Sequence, residues 1–237
     1  MKRVLYILGV LLVSLLLAGG ILLAVLSSVK VDTAVVQLAM EELSRTLGTE
    51  ARVGDVKYHF PSGLKMHDVY LEDQQQDTLA FVGELSAQFS PLALRRNEIR
   101  FSHVRMKDVV ADVHRLPDST WNYQFLLDSL KSEKTKKGEK KPLQSIISVK
   151  DVQWDNVRLR YEDYKALISH ADMDLHQLSA DTLDAEISEL AMVVHRTPDT
   201  LYTAPFVVED MKAHVILTDS LLQVPKLSAQ LPQSKLK

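Results

Sequence analysis

"SVKDVQWDNVRLRYED", residues 148–163, alternates apolar and polar side chains like a β-strand and then breaks step. Val152 and Trp154 lie two apart, Val157 follows three later, and Leu159 and Tyr161 resume the two-residue period. Successive side chains of a strand point to opposite faces. A step of three therefore moves the apolar set to the wrong face unless the backbone bulges at that point. The same stumble recurs at 99, 101 then 104, 106, and at 147, 149 then 152, 154. An aspartate often marks it: Asp68-Val69, Asp108-Val109, Asp151-Val152, Asp172-Met173 and Asp210-Met211. Aspartate tolerates irregular backbone and bonds locally to it. These aspartates are 40, 43, 21 and 38 residues apart, which excludes a fixed-period solenoid. The pattern predicts a mainly β protein, a long and strongly curved antiparallel sheet with one apolar face.

The rest of the chain extends this reading. "VKYHF" sets Val56, Tyr58 and Phe60 on one face before a Pro61-Ser62-Gly63 turn. "LKMHDVYLED" supplies Leu64 and Met66, a slip, then Val69 and Leu71; after "QQQD" turns the chain, "TLAFVGELSAQF" carries Leu79, Phe81, Leu85, Ala87 and Phe89. "IRFSHVRMKDVVADV" adds Phe101 and Met106, and "LPDSTWNYQFLLDSL" reads as a turn followed by a short helix from about Trp121. Strands resume at Ile146 and continue through Met173 and Val215 to the end. About a dozen strands face only one further helix, at 30–47, where Val31, Val35, Leu38, Ala39, Leu43 and Leu47 fall at helical spacing between Asp32 and Gly48. A sandwich would cover the apolar face with a second sheet about 10 Å away. Here the sheet must curl on itself or leave an apolar groove, and such a groove suits acyl chains. Its expected lining is Val56, Tyr58, Phe60, Met66, Leu71, Phe81, Phe89, Phe101, Met106, Trp154, Leu159, Met173 and Val215.

Four segments follow from composition. Residues 1–29 form an expected signal-anchor transmembrane helix. Lys2 and Arg3 precede an uncharged stretch from Val4 to Leu26, with Leu5, Leu12, Leu16 and Ile21 along it. At 1.5 Å per residue this stretch spans about 34 Å, enough for a hydrocarbon core of about 30 Å. A cleaved leader has a shorter apolar region; Ala18, Gly19, Gly20, Ser27 and Ser28 keep that alternative open. The two basic residues place the N-terminus in the cytoplasm and the bulk of the chain across the membrane, in a bacterium the periplasm. Residues 30–130 form a helix-plus-strand unit, 131–142 a flexible lysine-rich loop with six lysines and two glutamates in 131–141, and 143–237 the continuing strands.

The order of these segments, with "LSRTLGTEARVGDVKYHFPSGLKMHDVYLEDQQQDTLAFVGELSAQF", "LRRNEIRFSHVRMKDVVADVHR" and "STWNYQFLLDSL", resembles the start of the AsmA-like superfamily, nearest within it to the TamB branch. The likeness covers the anchor and about residues 30–130 well, and the later strands in style. Ser119 stands near where relatives often place a glycine. The resemblance implies an inner-membrane-anchored, single-pass periplasmic protein with a taco-like β-groove that conducts phospholipid between the inner and outer membranes. It also implies an Omp85-type outer-membrane barrel partner for the TamB branch, and with it the alternative of an assembly or scaffold factor. Such relatives are longer, and "QVPKLSAQLPQSKLK" stops in mid-pattern, so a longer parent chain is expected, with the partner-binding part beyond this sequence.

Charge and motif content point away from other classes. A net charge of −3 gives no general attraction to nucleic acid. With no cysteine there is no disulfide, thiolate metal site or cysteine nucleophile. No GxSxG elbow and no glycine-rich phosphate loop occurs. The eight histidines, including His59, His103 and His170, form no HExxH or HxxxH array and read as polar-face residues. The expectation is a non-enzyme with no metal and no cofactor.

Overall fold

The computed structural model describes residues 33–59, 63–90, 99–126, 147–178, 182–196, 205–218, 221–232 and 234–236. The expected membrane anchor, Phe60 and the lysine-rich loop lie outside them. Among the described residues no helix is long and apolar enough to cross a membrane.

Helix α1 (Thr33–Leu47) ends where expected. Gly48 takes φ +71 and its N–H reaches the Ser44 carbonyl at 2.8 Å, a left-handed cap that glycine adopts without a Cβ penalty. Ser44 Oγ also accepts from Ala51 N at 2.8 Å and donates to Ala51 O, pinning the helix to the first strand.

The strands are β1 (Ala51–Arg52), β2 (Asp55–His59), β3 (Gly63–Glu72), β4 (Thr78–Phe89), β5 (Ile99–Val113), β6 (Ile147–Tyr161), β7 (Tyr164–Leu178), β8 (Thr182–Arg196), β9 (Phe206–Val208), β10 (Asp210–Thr218), β11 (Leu222–Leu231) and β12 (Ser234–Leu236). They form one 12-stranded sheet whose main path runs β1-β3-β4-β5-β6-β7-β8-β10-β11-β12, with β2 beside β3 and β9 beside β8. The sheet is mixed, which corrects the antiparallel expectation: β5 and β6 pair in parallel, from Ile99 opposite Ile147 to Val113 opposite Tyr161. A parallel pair needs a connection of a dozen or more residues, and the chain between Val113 and Ile147 is long enough for one. The β5–β6 pairing also carries the sheet continuously from the 30–130 segment into the 143–237 segment.

The phase slips have a common cause. Asp68, Asp108 and Asn156 all adopt left-handed backbone, with φ of 52, 55 and 52. Register places them in one line. Asp68 faces Gly83 between the pairs His67–Glu84 and Val69–Val82, and Gly83 faces Asp108 between Glu84–Lys107 and Val82–Val109. Asp108 in turn faces Asn156 between Lys107–Asp155 and Val109–Val157. Because neighbouring strands slip together, pairing is kept while the apolar face is restored on both sides of the kink. Gly83 suits this line, since a Cβ there would lie 3.1 Å from the Cβ of Asp108, tighter than an ordinary contact. In β6 the left-handed residue is Asn156 and not Asp151. Asp172 coincides instead with a register shift against β8.

Within the crossover, Trp121 bridges to Arg115 and a helical turn occupies 124–126. This segment closes a second small core of Leu79, Val113, Tyr123, Phe125 and Leu126.

Candidate functional site: the apolar interior of the curled sheet

One contiguous buried cluster runs from Val53 and Val56 at the β2 end to Ala213 and Val215 on β10. It contains the expected lining residues Val56, Met66, Phe89, Phe101, Met106, Trp154 and Val215, with Met173 packed half-buried against it. Leu159 is buried farther along β6. Leu71 belongs to the second core beneath the 121–126 segment. Phe81 is half-buried between Tyr70 and Val110 in register, one residue out of step with Val82, which joins the main cluster. Tyr58 is 43% exposed, its ring 6.3 Å from that of Phe89. Phe60 lies outside the described residues.

The deepest interior positions were not singled out from sequence. Val104 and Val152, both 0% exposed, face each other across the parallel pair. Each opens a two-apart apolar pair after a slip, which was the available signal. Trp154 places its indole Nε1 in the interior without a hydrogen-bond partner among the described residues. A buried donor left this way is costly unless something else satisfies it.

Burial falls away at the C-terminal strands. Ala213 on β10 is 4% exposed, while Leu227, directly opposite it on β11 and on the same face, is 41% exposed. Pro225, which cannot donate to a ladder, sits where the β10–β11 register shifts between His214 and Ile216. The apolar floor thus continues into β11, where Leu227 is exposed while Ala229, two residues on along the same face, is buried.

The outer face is polar and cross-linked. Lys65 and Glu84 approach to 2.8 Å across β3 and β4, and this hydrogen bond holds the Glu84 carboxyl below its ordinary value. His103 pairs with Asp151 across the parallel strands. Asp155 accepts from Arg105 Nε at 2.8 Å and Nη2 at 2.6 Å and lies 2.7 Å from His170 Nδ1. Burial pushes the Asp155 carboxyl up, but the bonds from His170 and Arg105 outweigh it and the net direction is down. Ionic side chains outside and apolar ones inside give the two faces of the sheet opposite character.

The AsmA family model matches residues 1–224, and the chain belongs to the AsmA family. No curated protein matches the chain at a significant level.

Proposed function

We propose that this protein is a conduit for phospholipid, anchored in the bacterial inner membrane by residues 1–29, with its sheet in the periplasm and acyl chains carried along the apolar interior towards the outer membrane. The observation that carries the reading is the unbroken apolar interior from β2 to β10 that emerges uncovered at Leu227. AsmA family membership supports it. The role is one of binding and transfer, without catalysis, metal-dependent chemistry or nucleic acid.

The test is a photo-crosslinking side chain placed at Phe101 or Trp154 in the full chain, in cells. Phospholipid adducts are expected at both positions and not at Lys57, which is exposed and paired with Asp55 on the outer face. Adducts confined to Lys57 would end the lipid reading.

The exposed end strands favour a second reading. Val224 and Leu227 are exposed on β11, which pairs with β10 on one side and, among the described residues, only with the three-residue β12 on the other. An edge of this kind can pair with a strand of another protein, as expected of an assembly factor beside an Omp85-type barrel within the TamB branch. Co-purification of such a barrel without lipid adducts would support this reading over the conduit.

A further inference from the structure

Three strands bring together side chains that the sequence keeps far apart. His176 on β7, Asp184 on β8 and His214 on β10 each offer one ligand atom, and these atoms lie within 4.8 Å of one another. The sheet aims all three at the outer face, because their neighbours Leu175, Ala185 and Val215 are buried on the inner one. His214 Nε2 is already 2.8 Å from Asp184 Oδ1. The imidazoles of His176 and His214 lie side by side, centroids 5.9 Å apart and tilted by 38°. His176 owes its position to a register shift: Leu175 faces Ala185 and Gln177 faces Asp184, which leaves His176 as the extra residue. Glu186 stands directly opposite His214, with its Oε2 3.8 Å from His176 Nε2.

We infer that His176, Asp184 and His214 form a binding site for a divalent first-row transition ion of the zinc type, with Glu186 or water as fourth ligand. Two imidazoles with a carboxylate suit zinc, copper or nickel and not calcium or magnesium, which prefer all-oxygen shells. Bonds of about 2.0–2.2 Å place tetrahedral ligands about 3.4 Å apart. The ligand atoms would close from the present spread by rotation of side chains that lie at the surface, His176 exposed and Asp184 and His214 half-buried. A bound ion would staple β7, β8 and β10 beside the strands where the interior loses its cover. The inference does not depend on what the interior carries.

The test uses the full detergent-solubilised chain, without a polyhistidine tag, titrated with zinc chloride at neutral pH by calorimetry. Expected are one saturable site per chain, a rise in Tm of several degrees, and no comparable binding of calcium or magnesium. His176→Ala and His214→Ala should each abolish saturable binding, while His67→Ala, outside the cluster, should leave it unchanged. A readout free of folding effects is carbethoxylation of the native chain followed by peptide mass analysis. Zinc should protect His176 and His214 from the reagent and leave His67 reactive. Absence of a saturable site, or zinc binding that leaves His176 and His214 fully reactive, would overturn the assignment.

Discussion

Asn156 donates from Nδ2 to Asp108 Oδ1 at 2.5 Å across the parallel β5–β6 pair, and both residues hold left-handed backbone, φ 52 and 55. The two side chains stabilise the conformations that let both strands change phase together. Asparagine and aspartate enter this region at small cost, glycine at none, and β-branched residues at a cost of about 1–3 kcal/mol. Asn156→Gly should therefore shift the stability in urea by about 1 kcal/mol at most. Asn156→Val should lower it by about 2–3 kcal/mol, since strain adds to the lost hydrogen bond. Equal losses in both variants would mean that the side-chain bond, and not backbone strain, governs the kink.

A second prediction tests the same line from its middle. Gly83→Ala sets a methyl group 3.1 Å from the Asp108 Cβ, and the left-handed backbone of Asp108 gives that atom little room to retreat. Alanine would ordinarily gain a few tenths of a kcal/mol over glycine in an extended chain. Here crowding should win, with a net loss of about 1 kcal/mol by thermal or urea unfolding. A stabilised Gly83→Ala variant would show that the line is loosely packed.

These kinks mark how far the sequence could be read. Paired apolar residues separated by steps of three marked the places of the kinks at Asp68, Asp108 and, between Trp154 and Val157, Asn156. The bulge expected there is instead a left-handed residue that leaves the register unshifted. Strand direction was not legible, because alternation is identical in parallel and antiparallel strands. The crossover announced itself only as length. A clue lay in charge and polarity repeated at an offset near 48 residues, Asp108 with Asn156 and Asp112 with Arg160, which the parallel register brings together. Proximity of His176, Asp184 and His214 depends on register across three strands, and spacing along the chain carries no trace of it.

The Asp155 carboxyl gives a pH signature. Its folded value lies below the ordinary 3.8, so its stabilisation is fully present above that pH and is lost as pH falls through the lower folded value. At pH 7 Asp155→Asn should cost about 1–3 kcal/mol, because Arg105 and His170 lose a charged acceptor. Urea unfolding at pH 7 and near pH 3 should show the gap between variant and native chain narrowing in acid. A gap that stays constant would assign the loss to packing.

Trp154 separates shape from polarity in the interior. Replacing it with phenylalanine removes an indole N–H that has no partner among the described residues while keeping most of the ring. Relief of the unpaired donor offsets the lost volume, so the change in stability should stay within about 1 kcal/mol, against a loss of about 3–5 kcal/mol for Trp154→Ala. A large loss in Trp154→Phe would mean that the indole nitrogen has an acceptor in the native protein.

The conduit reading predicts opposite behaviour for charges at two depths of one apolar face. Val152 is 0% exposed, and Val152→Asp would bury an unpaired carboxylate at a cost of several kcal/mol, enough to remove the protein from the cell. Leu227 lies on the same face where the cover ends, and an aspartate there keeps its water, so the sheet should form normally. Yet hydrocarbon moving along that face would meet a charge it cannot solvate. Leu227→Asp should therefore show normal abundance by immunoblot and lost outer-membrane integrity under detergent, in cells lacking redundant transporters. Leu227→Asn, polar but uncharged, should retain more function than the aspartate variant. If Leu227→Asp protects the membrane as well as the native chain at equal abundance, acyl chains do not pass over β11, and the exposed strand is better explained as a surface for a partner's edge.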